Sequence, residues 1–246
     1  MPVADVPAAR SSRRPGPHGG ASEVRRCGVR GCSCADPRLL ASVPNAVTLA
    51  RTALSLGLVA AAAAERSWPL LLAAYLAYWV GDVADGALAR RLGQETRLGA
   101  VLDVVCDRLN CSSCALTLLL FVPSPAPVTV FLVQFVLVDL VLSLLPLRWP
   151  VLSPNYFGLV DPLVHAANWH PLAKATNTGL LVVLLVGVPD HRVALTAAVA
   201  VLVAKTASLV RVLRLPRPTS AHVVPVGPVG PVGSARATRP ARAARA

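Results

Sequence analysis

Six apolar runs fill most of the chain between residues 46 and 213, at about 46–64, 68–89, 98–121, 128–147, 172–189 and 192–213. Each approaches the ~20 residues that an α-helix needs to cross the hydrocarbon of a bilayer. A helix satisfies its own backbone hydrogen bonds, whereas an open strand in lipid leaves them unmet, so runs of this length restrict the chain to a helical bundle. The expected fold is therefore all-α: a polytopic membrane protein with six transmembrane helices. The 54% apolar content, the 15% charged content and the mean hydropathy of +0.59 agree with that class.

The flanks read differently. Residues 1–40 are rich in Pro, Ser, Gly, Ala and Arg without apolar period, which predicts a disordered basic tail. The membrane domain is expected over 41–214, and a second disordered tail over 215–246, with a Pro-Val-Gly repeat from Pro225 to Gly233. No apolar core follows the early arginines closely enough for a secretory signal. Of the 24 basic residues 22 are Arg, and their density in the tails suits contact with anionic lipid headgroups. Nucleic acid is not expected as a partner, because these basic stretches lack interleaved aromatics. The six cysteines suggest no disulfide framework. Cys106, Cys111 and Cys114 read as small hydrophobes within a helix. Cys27, Cys32 and Cys34, with His18 nearby, are paired less tightly than zinc sites favour.

Two of the apolar runs contain four aspartates, a third of the twelve acidic residues in the chain. An Asp at the centre of a membrane helix costs roughly 2.5–3.5 kcal/mol on insertion scales, so four of them need compensation. Asp82 and Asp85 are three residues apart, and Asp103 and Asp107 four apart. On helices each pair shares a face, and four facing carboxylates form an oxygen-rich cage for a hard divalent cation.

The full pattern is D-x2-D-G-x2-A-R-x8-G-x3-D-x3-D, filled by Asp82, Asp85, Gly86, Ala89, Arg90, Gly99, Asp103 and Asp107. It resembles the signature of the CDP-alcohol phosphatidyltransferase family at every specified position. The phrase Pro44-Asn45-x2-Thr48-x2-Arg51 also resembles the opening of that family's first membrane helix, although Thr48 could bond back to its own helix and Arg51 could snorkel. The resemblance implies transfer of a phosphatidyl group from a CDP-alcohol such as CDP-diacylglycerol to an acceptor alcohol, releasing CMP, in phospholipid synthesis. It implies Mg2+ or Mn2+, as two ions, held by Asp82, Asp85, Asp103 and Asp107, with Asp107 a ligand or the general base. Gly86, Ala89, Arg90, Gly99 and Thr48 would then lie at the CDP-alcohol, and the enzyme would be a homodimer. Glycines also serve close helix packing, so each has a structural reading beside the functional one.

Two other classes use intramembrane aspartates. Prenyltransferase motifs are usually led by Asn-Asp, whereas Gly81 precedes Asp82 here. A cation carrier would use the carboxylates as a transport site, but the six runs show no internal repeat.

Charge placement orients the bundle. The tails, Arg90-Arg91 with Arg97, and the stretch from Arg148 to Lys174 fall on one side of a six-span path, which the positive-inside rule makes cytoplasmic. Asp82 precedes Arg90 by eight residues and Asp107 follows Gly99 by eight, so both lie about 12 Å from that boundary. The site is thus expected to open to the cytoplasm, with both termini on the same side. Matching depths pair Asp139 with Lys205 across two helices. Prolines at 150, 154, 162 and 171 interrupt any long helix between the fourth and fifth runs, and Tyr156, Phe157 and Trp169 suit the headgroup level. Arg148, Lys174 and Arg211 share the cytoplasmic face and suggest a pocket for an anionic acceptor, such as glycerol phosphate or inositol phosphate. Amino alcohols and phospholipids are the remaining acceptor classes.

Overall fold

The structure, a computed structural model, describes residues 27–223. Residues 1–26, with His18, and residues 224–246, with the Pro-Val-Gly repeat, lie outside the described residues.

Local chemistry sets the helix limits. Helix α1 (Val43–Glu65) starts where Ser42 Oγ accepts from Asn45 N, with proline in the first turn, where a missing N–H costs nothing. It stops at Arg66, which is left-handed. Helix α2 (Trp68–Leu92) is capped in the same way by Ser67, and closes on left-handed Gly93. Helix α3 (Arg97–Leu118) follows Thr96, whose Oγ1 accepts from Gly99 N at 2.8 Å. Helix α4 (Ala126–Arg148) is one long element with a π-helical segment at Gln134–Asp139 and a 3-10 end. Two short pieces follow, a 3-10 turn at Pro154–Leu159 and helix α5 (Pro162–Asn168). Helices α6 (Pro171–Gly187) and α7 (His191–Arg214) complete the bundle.

Every expected run is helical, but three of the helices are both long and apolar enough to cross a membrane: α1, α4 and α7. Helices α2 and α3 reach 25 and 22 residues, but carry the acidic and basic side chains of the signature. Helix α6 has 17 residues. A length and hydropathy criterion thus supports three spans of the six expected. Outward-facing Leu49, Leu54, Leu72, Leu76, Val183 and Val203 are exposed, as lipid-facing side chains would be.

Two clusters hold most of the buried apolar side chains of the bundle. One joins α1, α2, α3, α4, α6 and α7 through Val59, Tyr78, Cys111, Phe135, Leu181 and Ala198. Cys106, Cys111 and Cys114 are buried, as small hydrophobes would be. The other cluster holds Leu142, Trp149, Phe157, Val164, Trp169 and Val212. Phe157 and Trp169, expected at the headgroup level, pack into this second cluster. Phe157 is fully buried, edge-on to Trp149 and Trp169 at 5.4 and 5.5 Å, because the 3-10 turn folds it inward.

Parts of both expected tails make defined contacts. Residues 31–35, expected within a disordered tail, run beside the Pro150–Leu152 strand-like segment: Ser33 N donates to Pro150 O and Leu152 N to Gly31 O. Val223, beyond the expected domain end, is buried with Cys32 and Val151. The fixed contacts come from cysteine and valine side chains too few to register as an apolar period.

Candidate active site

Helices α2 and α3 deliver the four aspartates to one place, and α1 supplies what the motif alone did not reveal. Arg51 does not snorkel; it is buried and turned inward among the carboxylates. Its Nε donates to Asp85 Oδ2 at 2.7 Å. Its Nη2 donates to Asp103 Oδ1 at 2.7 Å and Asp107 Oδ1 at 3.0 Å, with Asp82 Oδ1 at 3.6 Å. Thr48 Oγ1 bonds back to Pro44 O and also reaches Asp85 Oδ2 at 2.7 Å, so Asp85 is fixed by two residues of α1. Gly81 is where Arg51 crosses α2: an added β-carbon would lie 2.5 Å from Arg51 Cδ. The long reach of arginine and a glycine one residue before Asp82 were the available signals for this pairing.

Asp82, Asp85 and Asp103 each present a carboxylate oxygen within 4.8 Å of the others. The four carboxylates share the one Arg51 guanidinium, so ionising all four would leave an excess of three negative charges. An all-oxygen donor set with that surplus fits the divalent cation the motif implies.

A cavity of about 610 Å³ opens beside the cage, and all eight signature residues line it, together with Thr48. That volume is within the usual range for small-molecule sites. Arg90 projects along the Gly86 face, its Nη1 3.3 Å from where a β-carbon on Gly86 would be. Gly99 has a packing reason for its lack of bulk: a β-carbon there would lie 2.8 Å from Asn45 Oδ1 and Thr96 Oγ1.

The three cations expected at the acceptor are separated. Lys174 lines the cavity. Arg148 lies over the Trp149 ring, and Arg211 Nε donates to Asp161 Oδ2 at 2.6 Å; neither lines it. Of the loop histidines, His165 also lines the cavity, while His170 caps α6.

The expected pair of Asp139 and Lys205 is present, Nζ to Oδ1 at 2.7 Å. Arg108, which sequence reasoning passed over, joins it: its Nη2 is 2.6 Å from Asp139 Oδ2 and 2.8 Å from Ser143 Oγ, and its guanidinium lies 4.0 Å over the Phe135 ring. All three charged residues line the cavity. The π-helical segment ends at Asp139, and a widened turn of this kind re-aims the side chains that follow it.

Outside the bundle, Asp161 caps α5 by accepting from Leu163 N and Val164 N. Burial pushes its carboxyl pKa up, but the Arg211 hydrogen bond and charge and the two backbone N–H groups outweigh it and hold the group below its ordinary value.

A family model described as CDP-alcohol phosphatidyltransferase matches residues 41–213. A phosphatidylinositol phosphate synthase from Mycolicibacterium smegmatis is 40% identical over 69 residues, which is 27% of this chain and 30% of that protein. No solved structure matches the chain.

Proposed function

The chain belongs to the CDP-alcohol phosphatidyltransferase family, and on that premise we propose that it transfers a phosphatidyl group from CDP-diacylglycerol or a similar CDP-lipid to an acceptor alcohol, releasing CMP. One observation carries the reading: all eight signature residues line a single cavity beside the carboxylate cage. Residues 172–213 pack into the same bundle, so the proposal concerns the whole domain rather than the motif alone.

In this reading the acceptor oxygen forms a bond to the lipid-bearing phosphorus as the bond from that phosphorus to the CMP oxygen breaks. Asp107 takes the hydroxyl proton, held in place through Arg51 Nη2. Asp82, Asp85 and Asp103 would hold magnesium or manganese, which supplies charge neutralisation for the diphosphate. Arg51 and Thr48 keep Asp85 oriented, so the cage is preorganised and little reorganisation accompanies the reaction. Arg90 offers a forked donor to the diphosphate.

Lys174 faces the same cavity from α6 and supports a phosphorylated acceptor. The name of the M. smegmatis relative favours inositol phosphate over glycerol phosphate. Arg148 and Arg211 then act at the edge of this region, through Trp149 and Asp161. Six membrane crossings, with the cavity and both termini facing the cytoplasm, complete the reading. The test is mass spectrometry of the lipid made from labelled CDP-diacylglycerol and an equimolar pool of inositol phosphate, glycerol phosphate, inositol and serine. A labelled phosphatidylinositol phosphate supports the reading. A product from an uncharged acceptor overturns the role of Lys174, and no product with CMP retained on the donor overturns the reaction.

A further inference from the structure

Far from the aspartates in sequence, Cys27, Cys32, Cys34 and His222 converge. Each offers one ligand atom, and these atoms all lie within 4.8 Å of one another. Cys34 Sγ is 3.3 Å from Cys27 Sγ, and Cys32 Sγ is 3.9 Å from His222 Nδ1. Zn–S and Zn–N bonds of about 2.3 and 2.0 Å put neighbouring ligand atoms of a tetrahedral site roughly 3.5–3.8 Å apart. The two separations above bracket that range, and the remaining ones stay within 4.8 Å.

Simple packing does not account for the grouping. Cys32 is buried, but Cys27 is exposed and Cys34 only partly covered, and all three thiols are free. The apolar residues beneath them are few: Cys32, Val151 and Val223 form the buried part of the cluster. Yet residues 190 positions apart are held together there. The backbone is shaped to the same end. Gly28 and Gly31 both have left-handed φ, at 76° and 82°, and they fold Cys27 back over Cys32 and Cys34. A backbone N–H also points at one of the sulfurs: Cys27 N lies 3.5 Å from Cys34 Sγ.

We propose that Cys27, Cys32, Cys34 and His222 form a structural zinc site that clamps the N-terminal segment to the segment after α7. Three thiolates and one imidazole close the coordination, with no open position for catalysis. The clamp also reaches the cavity rim. Gly31 lies against the Tyr156 ring, so close that a β-carbon would clash with it. Tyr156 Oη donates to Glu95 Oε2 at 2.7 Å. Glu95 and residues 152–155 line the cavity. Zinc at the clamp would thus steady one wall of the cavity without touching the reacting groups.

The test uses the full-length protein, purified without chelator in zinc-containing buffer and then passed through a desalting column. Elemental analysis should find about one zinc per chain. That zinc should persist in an Asp82→Asn, Asp103→Asn variant and fall at least tenfold in Cys32→Ser. Because Cys32→Ser also removes a buried group, exposed Cys27→Ser and His222→Ala serve as milder variants, and each should weaken retention against a graded chelator at least tenfold. Wild-type protein loaded with cobalt should show thiolate-to-cobalt charge transfer and the intense visible bands of a tetrahedral site. Removing zinc should speed hydrogen exchange at residues 29–35 and 150–160 and leave the helical residues 82–90 and 99–107 unchanged. Zinc below a tenth per chain, equal retention in Cys27→Ser and His222→Ala, an octahedral cobalt spectrum, or a Cys27–Cys34 disulfide in protein kept under reducing conditions would each overturn the proposal.

Discussion

Arg51 crosses α2 directly over Gly81, where an added β-carbon would lie 2.5 Å from its Cδ and 2.7 Å from its Cβ. The glycine before Asp82 is therefore matched to an arginine one helix away. Gly81→Ala is expected to displace the guanidinium from the carboxylates while α2 stays helical. A misplacement near 1 Å typically costs about 10²-fold in rate, so kcat should fall by that order with unchanged expression and helix content. Wild-type kcat in Gly81→Ala would show that Arg51 has room to move.

Arg51 also balances charge in the cage. In Arg51→Ala the four carboxylates lose the guanidinium that reaches all of them, so a bound divalent ion must carry more of the compensation. The variant should melt lower than wild type in EDTA, and magnesium should raise its melting temperature by more than it raises that of wild type. Equal magnesium shifts in the two proteins would contradict this division of charge.

The Asp139 site has one anion for two cations, Arg108 and Lys205. Asp139→Asn should then be the most damaging single change, near the ~3–5 kcal/mol seen when a buried pair is broken, because it leaves two buried cations. Lys205→Met should cost less, since Arg108 still pairs with Asp139. Chemical denaturation in detergent checks the order, and a Lys205→Met effect equal to that of Asp139→Asn would contradict it.

Asp161 gives a pH signature outside the membrane helices. Its folded pKa is lowered from the ordinary 3.8, so its contribution is fully present above that value and is lost as pH falls through the lower folded value. The stability difference between wild type and Asp161→Asn should be constant from pH 7 to about 5 and shrink below pH 4. A difference that disappears already between pH 7 and 5 would mean that the Arg211 pair does not hold the carboxylate.

The sequence carried the carboxylate cage because spacing on two helices fixes which side chains share a face. It carried the Asp139–Lys205 pair for a related reason, since a constant rise per residue sets depth. Arg51 was harder: an arginine near a helix start has a satisfactory local role in snorkelling, and only the packing of α1 on α2 turns it inward. Arg108 follows Asp107 directly, and its partner is set by the π-helical turn of α4, which has no composition signal. Cys27, Cys32, Cys34 and His222 were the least legible, because no periodicity links two polar segments 190 residues apart. Arg148 and Arg211 do not line the cavity that Lys174 lines. Charge placement reports a side and not a direction.

The account rests on the four aspartates acting with a divalent ion on a CDP-lipid, and CMP release tests that most directly. Purified protein in vesicles containing CDP-diacylglycerol, supplied with inositol phosphate, should release CMP in magnesium or manganese and stop when EDTA is added. Asp103→Asn should reduce release at least 10³-fold while remaining folded and inserted. CMP release that continues undiminished in EDTA, or in Asp103→Asn, would contradict the central claim.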